Sequence, residues 1–424
     1  MFNINSDKQN PGLAFGRIFF GLWWLYEVVL GHNWKWGNPE WVGEGAGAWL
    51  AEDITSAIAK GTWSWAEWLL EIAVVPHVEI WSYVVLVLQV AIAISFITGL
   101  FVRPTASVGL AHMFIMFLMG HSRIPPFFVV GFLFVLATKA GMHYGLDRWI
   151  ADKFYKTRSI IGSFILSLID KPCPDWLRTH VGIPFATVFA VYFLLQAAAA
   201  EAVTFRMAGL DLAVMSGLVA AGFALVKKVD TIPLITRLLS MFVGYKFLHE
   251  IWIRFPAALN GLPGWSSGQE LTEVLTIIAT NHWSFIASIV DTVFIPYAGA
   301  WALVFAVVQT AVGIMLIINW KTKQASQLGI GYLVLLLLLG FTRYVPFVLG
   351  ILIITYALKW GIHLSRHWLG LSVIAVLLFS SIAAISGITP GDYLEHMGSV
   401  VAVMLAMLAL AFAITAYIQQ EYVE

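Results

Sequence analysis

Twelve stretches of the chain run for about twenty mostly apolar residues each, the length a helix needs to cross a bilayer. They fall at roughly 12–30, 79–101, 105–120, 126–146, 182–201 and 207–226, then at 232–253, 298–319, 326–341, 344–363, 369–388 and 397–418. Three of them, 105–120, 126–146 and 326–341, are short or carry polar ends. The balance of residue types agrees: 60% are hydrophobic and 11% charged, against about 25% charged in an average soluble domain. A soluble chain so poor in charge could not cover its surface. That excludes a soluble enzyme, a nucleic-acid binder and a disordered chain. The expected fold class is all-α, a polytopic membrane protein of about twelve transmembrane helices. The first apolar run carries Arg17 and Glu27 and lacks a small-residue cleavage pattern, so it reads as a span and not as a signal peptide. The one cysteine, Cys173, rules out a disulfide framework and a cysteine-held metal or iron–sulfur cluster.

Charge placement orients the spans. One set of loops holds Lys8, Arg103, Arg148, Lys153, Lys156, Arg158, Lys171, Arg178, Lys227, Lys228, Lys321, Lys323 and Arg366. The other holds Lys35, Lys60, Arg123, Arg206, Arg254 and Arg343, and is rich in acids, among them Glu40, Glu44, Glu52, Asp53, Glu270, Glu273, Asp392 and Glu395. By the positive-inside rule both termini are expected in the cytoplasm, in a multi-pass protein of the cell (plasma) membrane. An even number of spans agrees with that.

The chain also repeats itself. Residues 63–143 align without gaps on 283–363, at an offset of 220, with 20 identities in 81 positions. They include Trp63/Trp283, Pro76/Pro296, Trp81/Trp301, Gln89/Gln309, Gly120/Gly340, Arg123/Arg343, Pro126/Pro346, Lys139/Lys359 and His143/His363, and Asp291 stands for Glu71. Upstream the offset becomes 223, where Gly21-Leu-Trp-Trp-Leu-Tyr-Glu27 matches Gly244-Tyr-Lys-Phe-Leu-His-Glu250. A repeat of this kind divides the chain into two six-helix halves, 1–230 and 231–424. Six is even, so the halves are expected to share one orientation, related by an axis along the membrane normal.

The loop after the first span of each half is long. In the first half it carries Trp34, Trp36, Trp41, Trp49, Trp63, Trp65 and Trp68, out of 19 tryptophans in the chain. Stretches 46–60 and 63–75 have helical apolar spacing. Two readings stand together: helices on the outer interface with a tryptophan belt, or an aromatic mouth over a lipid-soluble ring.

Ionisable groups inside spans are costly and mark structural or functional need. Glu27 and Glu250 lie toward the outer ends of the first span of each half, level with Arg123 and Arg343 in the turns Gly-His-Ser-Arg-Ile-Pro-Pro and Gly-Phe-Thr-Arg-Tyr-Val-Pro. A buried Glu–Arg pair is the structural expectation; an anion or quinone-headgroup site built on it is the functional one, since a guanidinium fork suits an oxyanion. His121 beside Arg123, and His32 with Lys35, occur in the first half only; Phe341 takes the place of His121. A histidine there could trade a proton with a quinol, which makes the first half the better candidate. Gln89 and Gln309 sit mid-helix, where an amide bonds a neighbouring helix or a quinone carbonyl. His112, replaced by Tyr332 in the second copy, and His249 are the mid-span histidines, too few to make a haem or iron–sulfur ligand pattern. Lys139, His143, Lys359 and His363 read as snorkelling anchors; Glu201, Arg206 and Asp211 read as a local ion pair. No phosphate loop, nucleophile–base arrangement, dinucleotide fingerprint or zinc pattern occurs.

Residues Arg17-Ile-Phe-Phe-Gly21, Glu27, Gly99, Pro104, Gly120 and Arg123, with an aromatic outer loop and three closely spaced helices, resemble the DoxX/DoxD superfamily, whose unit is a four-helix membrane bundle. The resembling units are 12–146 and 235–363, here a tandem copy with two additional helices after each. The family includes the membrane subunit of thiosulfate:quinone oxidoreductase. The resemblance implies a quinone-associated membrane subunit of an electron-transfer complex, with quinone as cofactor and other membrane or cofactor-bearing subunits as partners. The chain departs from the family pattern after the first helix: it reads Gly31-His-Asn-Trp-Lys35 in one half and Arg254-Phe-Pro in the other. Two other readings remain open. One is a structural scaffold subunit of a respiratory or other membrane complex. The other is a secondary transporter of a small solute with 6+6 helices, although the charges crowd the outer edge and the loop motif of facilitators is missing.

Overall fold

The computed structural model describes residues 10–31, 34–157, 159–169, 175–254, 267–361, 366–387, 390–391 and 396–421. Lys8, His32, Arg158, Lys171, Cys173, His363, Asp392 and Glu395 lie outside these residues. Among those described the chain is helical and no strand forms. Eight helical stretches are long and apolar enough to cross a bilayer: Pro11–Val29, Ser64–Thr98, Leu177–Ala199, Val203–Leu225, Thr231–Ile251, Ser284–Ile317, Arg366–Ile385 and Met397–Gln420. The expected spans at 105–120, 126–146, 326–341 and 344–363 are shorter helices, Val102–Leu118, Pro125–Thr138, Thr322–Leu338 and Val345–Trp360. By contacts the chain divides into two compact units, Met1–Ile235 and Thr236–Tyr422.

In the first unit, α1 (Pro11–Val29) starts on a proline at its first position and on Asn10, whose side chain accepts from the Gly12 amide. Both are favoured helix starts. It is buried on nearly every side, against α4 (Val78–Thr98) and α6 (Pro125–Thr138), as a helix apolar all round must be. Between α1 and α4 come α2 (Ala48–Ala59) and α3 (Ser64–Ala73). Pro76 cannot continue α3, so a single 3-10 turn at Val75–His77 redirects the chain into α4. Trp81 braces this bend by donating its indole N–H to Ala73 O at 2.8 Å. Then follow α5 (Val102–Leu118), α6, α7 (Leu146–Thr157), α8 (Ile160–Ile169), α9 (Ile183–Ala199) and α10 (Val203–Leu225).

The second unit takes up α11 (Thr231–Arg254), then α12 (Gln269–Asn281), α13 (Ser284–Ile289), α14 (Ala298–Ile317), α15 (Thr322–Leu338), α16 (Val345–Trp360), α17 (Arg366–Ile385) and α18 (Met397–Glu421). It reuses the joints of the first. Pro296 makes the same 3-10 turn and Trp301 donates to Val293 O at 2.9 Å. The turn into α5 has left-handed backbone at Gly99 (φ 76) and Phe101 (φ 49); the turn into α15 has it at Asn319 (φ 59) and Lys321 (φ 43). Gly47 and Gly268 are left-handed N-caps of α2 and α12. A Cβ at Gly47 would sit 2.8 Å from the backbone of Val78 and Glu79, and one at Gly268 2.3 Å from Gly299 N. Only glycine serves where the two chains run so close.

One arginine fastens each bundle at its other end. Arg17, fully buried, donates to the carbonyls of Phe96, of Ile97 (2.9 Å) and of Tyr144 (3.2 Å). Arg237 donates to the carbonyls of Leu316 (2.6 Å) and Ile317. The last carbonyls of a helix lack intrahelical donors and carry its negative end, so a cation fits there. Asp147 serves the opposite polarity, accepting from the amides of Phe101 (2.6 Å) and Val102 (3.1 Å) at the start of α5. Burial pushes the Asp147 carboxyl up to about 6, against the pull of those amides and of Arg17 and Arg103.

Candidate functional site

The tryptophan-rich segment of the first unit does more than lie on a surface. Trp41, Leu50, Ile54, Ala57, Leu70 and Val74 form a buried core with Met119 and Phe205, whereas Trp36 and Trp68 are exposed. The amides of Lys35 and Trp36 both donate to Val28 O, at 2.8 and 3.0 Å. This folds the chain back over the end of α1 and turns the Lys35 side chain inward, where it is buried with its ammonium 4.4 Å from the centre of the Trp41 ring.

Beneath this roof lies a cavity of about 290 Å³. Trp41, Trp49, Leu50 and Asp53 close one end; Trp81, Val84, Val85, Leu88 and Gln89 of α4 form one wall; Val108, Ala111, His112, Ile115 and Met116 of α5, with Met119 just past its end, form the other. An apolar pocket with a few convergent polar groups is the usual form of a small-molecule site. Four polar side chains reach it: Lys35, Asp53, Gln89 and His112.

Gln89 and His112 are both buried, and Gln89 Nε2 lies 3.0 Å from His112 Nε2. With the amide nitrogen facing the ring, Nε2 accepts and the ring proton resides on Nδ1. Gln89 Oε1 is then left buried without a hydrogen-bond partner, as is Trp41 Nε1. A buried acceptor and a buried donor, both unmet at a cavity, are what a polar ligand group would satisfy. At the roof, His121 Nε2 lies 2.7 Å from Asp53 Oδ2, and both are partly open to solvent. Burial pushes the Lys35 ammonium down to about 8, while the negative charges of Glu27 and Asp53 work against that shift. At neutral pH the group is therefore still mostly cationic.

The structure thus sorts the candidates read from the sequence. Gln89 lines the cavity, His121 is joined to it through Asp53, and Glu27 stands close enough to act on Lys35. Arg123 and Arg343 are exposed and Glu27 is half-buried. The expected buried Glu–Arg pair is corrected accordingly: equal depth along two helices does not bury two side chains together. Gln309 does bond a neighbouring helix, donating to the Tyr332 hydroxyl at 2.7 Å. His249 is buried in the second unit against Tyr245, ring centres 5.3 Å apart. Arg206 bonds its own turn, donating to Ala200 O at 2.9 Å.

Asp53 and His112 are the residues whose role sequence reasoning missed. One signal could have found His112. The same spacing separates Gln89 from His112 and Gln309 from Tyr332, so both copies put a polar ring against the amide. No family model, curated protein or solved structure matches the chain.

Proposed function

We propose that the chain is an integral membrane subunit of a quinone-linked redox complex, with a quinone site in the cavity of its first copy. The observation that carries this reading is the cavity itself: tryptophan-walled, otherwise apolar, and fitted with unmet polar atoms of both kinds. A quinone carbonyl is an acceptor that Lys35 or the Trp41 indole N–H can meet. A quinol hydroxyl is a donor that Gln89 Oε1 or Asp53 can meet. Aromatic walls suit a flat ring, and the Asp53–His121 pair gives the ring's protons a polar way to solvent. The bound quinone supplies the two-electron chemistry. The protein's side chains hold the ring, exclude water from it and pass protons to it as it is reduced.

The resemblance to the DoxX/DoxD superfamily supports the same reading and adds thiosulfate as an electron donor. On this reading twelve helices span the plasma membrane as two parallel six-helix halves, both termini face the cytoplasm, and the cavity lies in the outer leaflet. A cofactor-bearing partner brings the electrons from the donor to the quinone, since the sequence carries no ligand pattern for a redox metal.

The test begins with chain purified in mild detergent, extracted and chromatographed for quinone. Wild type is expected to carry quinone and Gln89→Leu to carry much less. If wild type carries none, and added long-tailed quinone leaves its melting temperature unchanged, the reading fails. Thiosulfate-dependent quinone reduction by membranes containing the chain then identifies the donor.

A further inference from the structure

The cavity is not closed on all sides. Val84 of α4 and Val108 of α5 both line it, yet they are 43% and 53% exposed; Ala111, one turn along from Val108, lines it and is exposed too. These side chains bring the cavity to within one residue of the surface, and the opening runs past them. This opening is not at the polar mouth. At 1.5 Å per residue, Val84 lies about 9 Å below the start of α4 and Val108 about 15 Å below the end of α5. Both depths fall within a hydrocarbon core about 30 Å thick. The rim is wholly apolar, as a surface in contact with acyl chains must be. The polar groups belong to other parts of the lining: Lys35 and Asp53 at the roof, and Gln89 and His112 bonded to each other across α4 and α5.

The volume points the same way. About 290 Å³ lies at the small end of ligand pockets, which run from about 300 to 1,000 Å³. It holds a ring headgroup and little more. Any long tail attached to that headgroup must leave, and the apolar gap between α4 and α5 is where it can leave without meeting water.

We propose that the cavity is loaded sideways from the bilayer, between α4 and α5 past Val84, Val108 and Ala111. Its ligand is a tailed membrane lipid whose polar headgroup sits inside and whose apolar tail lies in that gap. The proposal rests on the ligand reading given above and adds the entry route and the tail. A solute delivered from the aqueous side would need no such opening. A tail keeps the ligand dissolved in the bilayer beside the gap, so per amount added a tailed ligand should bind far more tightly than a bare headgroup that stays in water.

The experiment compares two probes on the full chain in phosphatidylcholine vesicles: a quinone with a long isoprenoid tail, and the water-soluble dimethoxy-methyl-benzoquinone that lacks it. Wild type is expected to bind the tailed probe at least about tenfold more tightly. Val108→Trp, which narrows the gap, should weaken tailed binding about tenfold more than it weakens binding of the bare headgroup, because the headgroup can enter by the partly open Asp53–His121 mouth. Leu328→Trp, at the corresponding position of the second copy, is the control for bilayer perturbation and should change neither. Melting temperatures report whether each variant folds, and Ala111→Leu is the milder second obstruction. If Val108→Trp and Ala111→Leu, both folded, affect the two probes equally or leave both unchanged, the lateral route is wrong and the ligand reading stands. If wild type binds neither probe, the ligand reading itself fails.

Discussion

In the first copy an amide on α4 meets an imidazole on α5; in the second the same amide meets a phenol. Gln89–His112 and Gln309–Tyr332 hold corresponding positions, and Trp24 and Phe247 lie 6.2 Å from His112 and Tyr332 respectively. Among the exchanges around them, one changes the filling of the space most. Where the first copy has Val85 facing the cavity, the second has Phe305, packed edge-on to Tyr332 with centres 5.7 Å apart. Two rings there occupy space that a valine and an imidazole leave empty. The helices α2 and α12 show a parallel divergence. Leu50, Ile54 and Ala57 are buried in one, and Leu271, Leu275 and Ile278 in the other. That register sets Val274 opposite Asp53, and it is an apolar, exposed residue. A duplicated scaffold can therefore keep its helix joints while a few side chains decide whether the same position is a wall or a site.

The most demanding test of this contrast imposes the second copy's residues on the first. Val85→Phe with His112→Tyr should fill the cavity and abolish retention of quinone through purification. The bundle should stay folded, with the new phenol accepting from the Gln89 amide as Tyr332 accepts from Gln309. Retained quinone in a folded double variant would show that these two positions do not make the difference.

The arginine joints give the next largest effect. Arg17 is fully buried and serves three carbonyls; Arg237 is partly exposed and serves two. Hydrogen bonds to a charged group are worth about 1.5–3 kcal/mol each. Arg17→Ala should therefore cost about 4.5 kcal/mol or more in thermal or denaturant unfolding in detergent, and Arg237→Ala about two thirds of that or less. Equal costs would mean that burial does not separate the two joints.

The smallest effect concerns pH. The Lys35 ammonium faces Glu27 of α1, Asp53 of α2 and His112 of α5, with His121 acting through Asp53. Its charge is lost as pH rises through about 8, so affinity for a carbonyl-bearing headgroup should fall about tenfold between neutral pH and about 9, and Lys35→Arg should flatten the profile. Folding stability should move the other way. Between about 8 and the ordinary lysine value the unfolded chain binds more protons, so stability rises with pH there. A flat affinity profile in wild type would remove Lys35 from the headgroup's contacts.

Helix positions and the repeat were legible because hydropathy and self-similarity are local properties of a chain. Pro76 and Pro296 were visible as a match in the repeat, but the 3-10 turns they make were not read from it. Contacts between helices were not legible. Arg17 and Arg237 share an offset of 220, but the neighbouring motif Gly21–Glu27 is offset by 223, so the extra turn between arginine and motif in the second copy hid the match. Lys35 and Asp53 lie in the connection between α1 and α4, where no periodicity assigns a direction to a side chain; two backbone bonds to Val28 O do. Glu27 was given Arg123 as a buried partner, yet Glu27 is half-buried and Arg123 exposed, since depth in the membrane is only one of three coordinates.

The arginine joints have one more consequence. Their acceptors are main-chain carbonyls, and every residue type supplies one. Substitutions in the last turn of α4 or α14 cannot delete the partner of Arg17 or Arg237; they can only reshape what surrounds it. Two copies could therefore drift apart at most of their positions, one toward binding and one toward filling, without either losing the fastening that sets its first helix against its fourth.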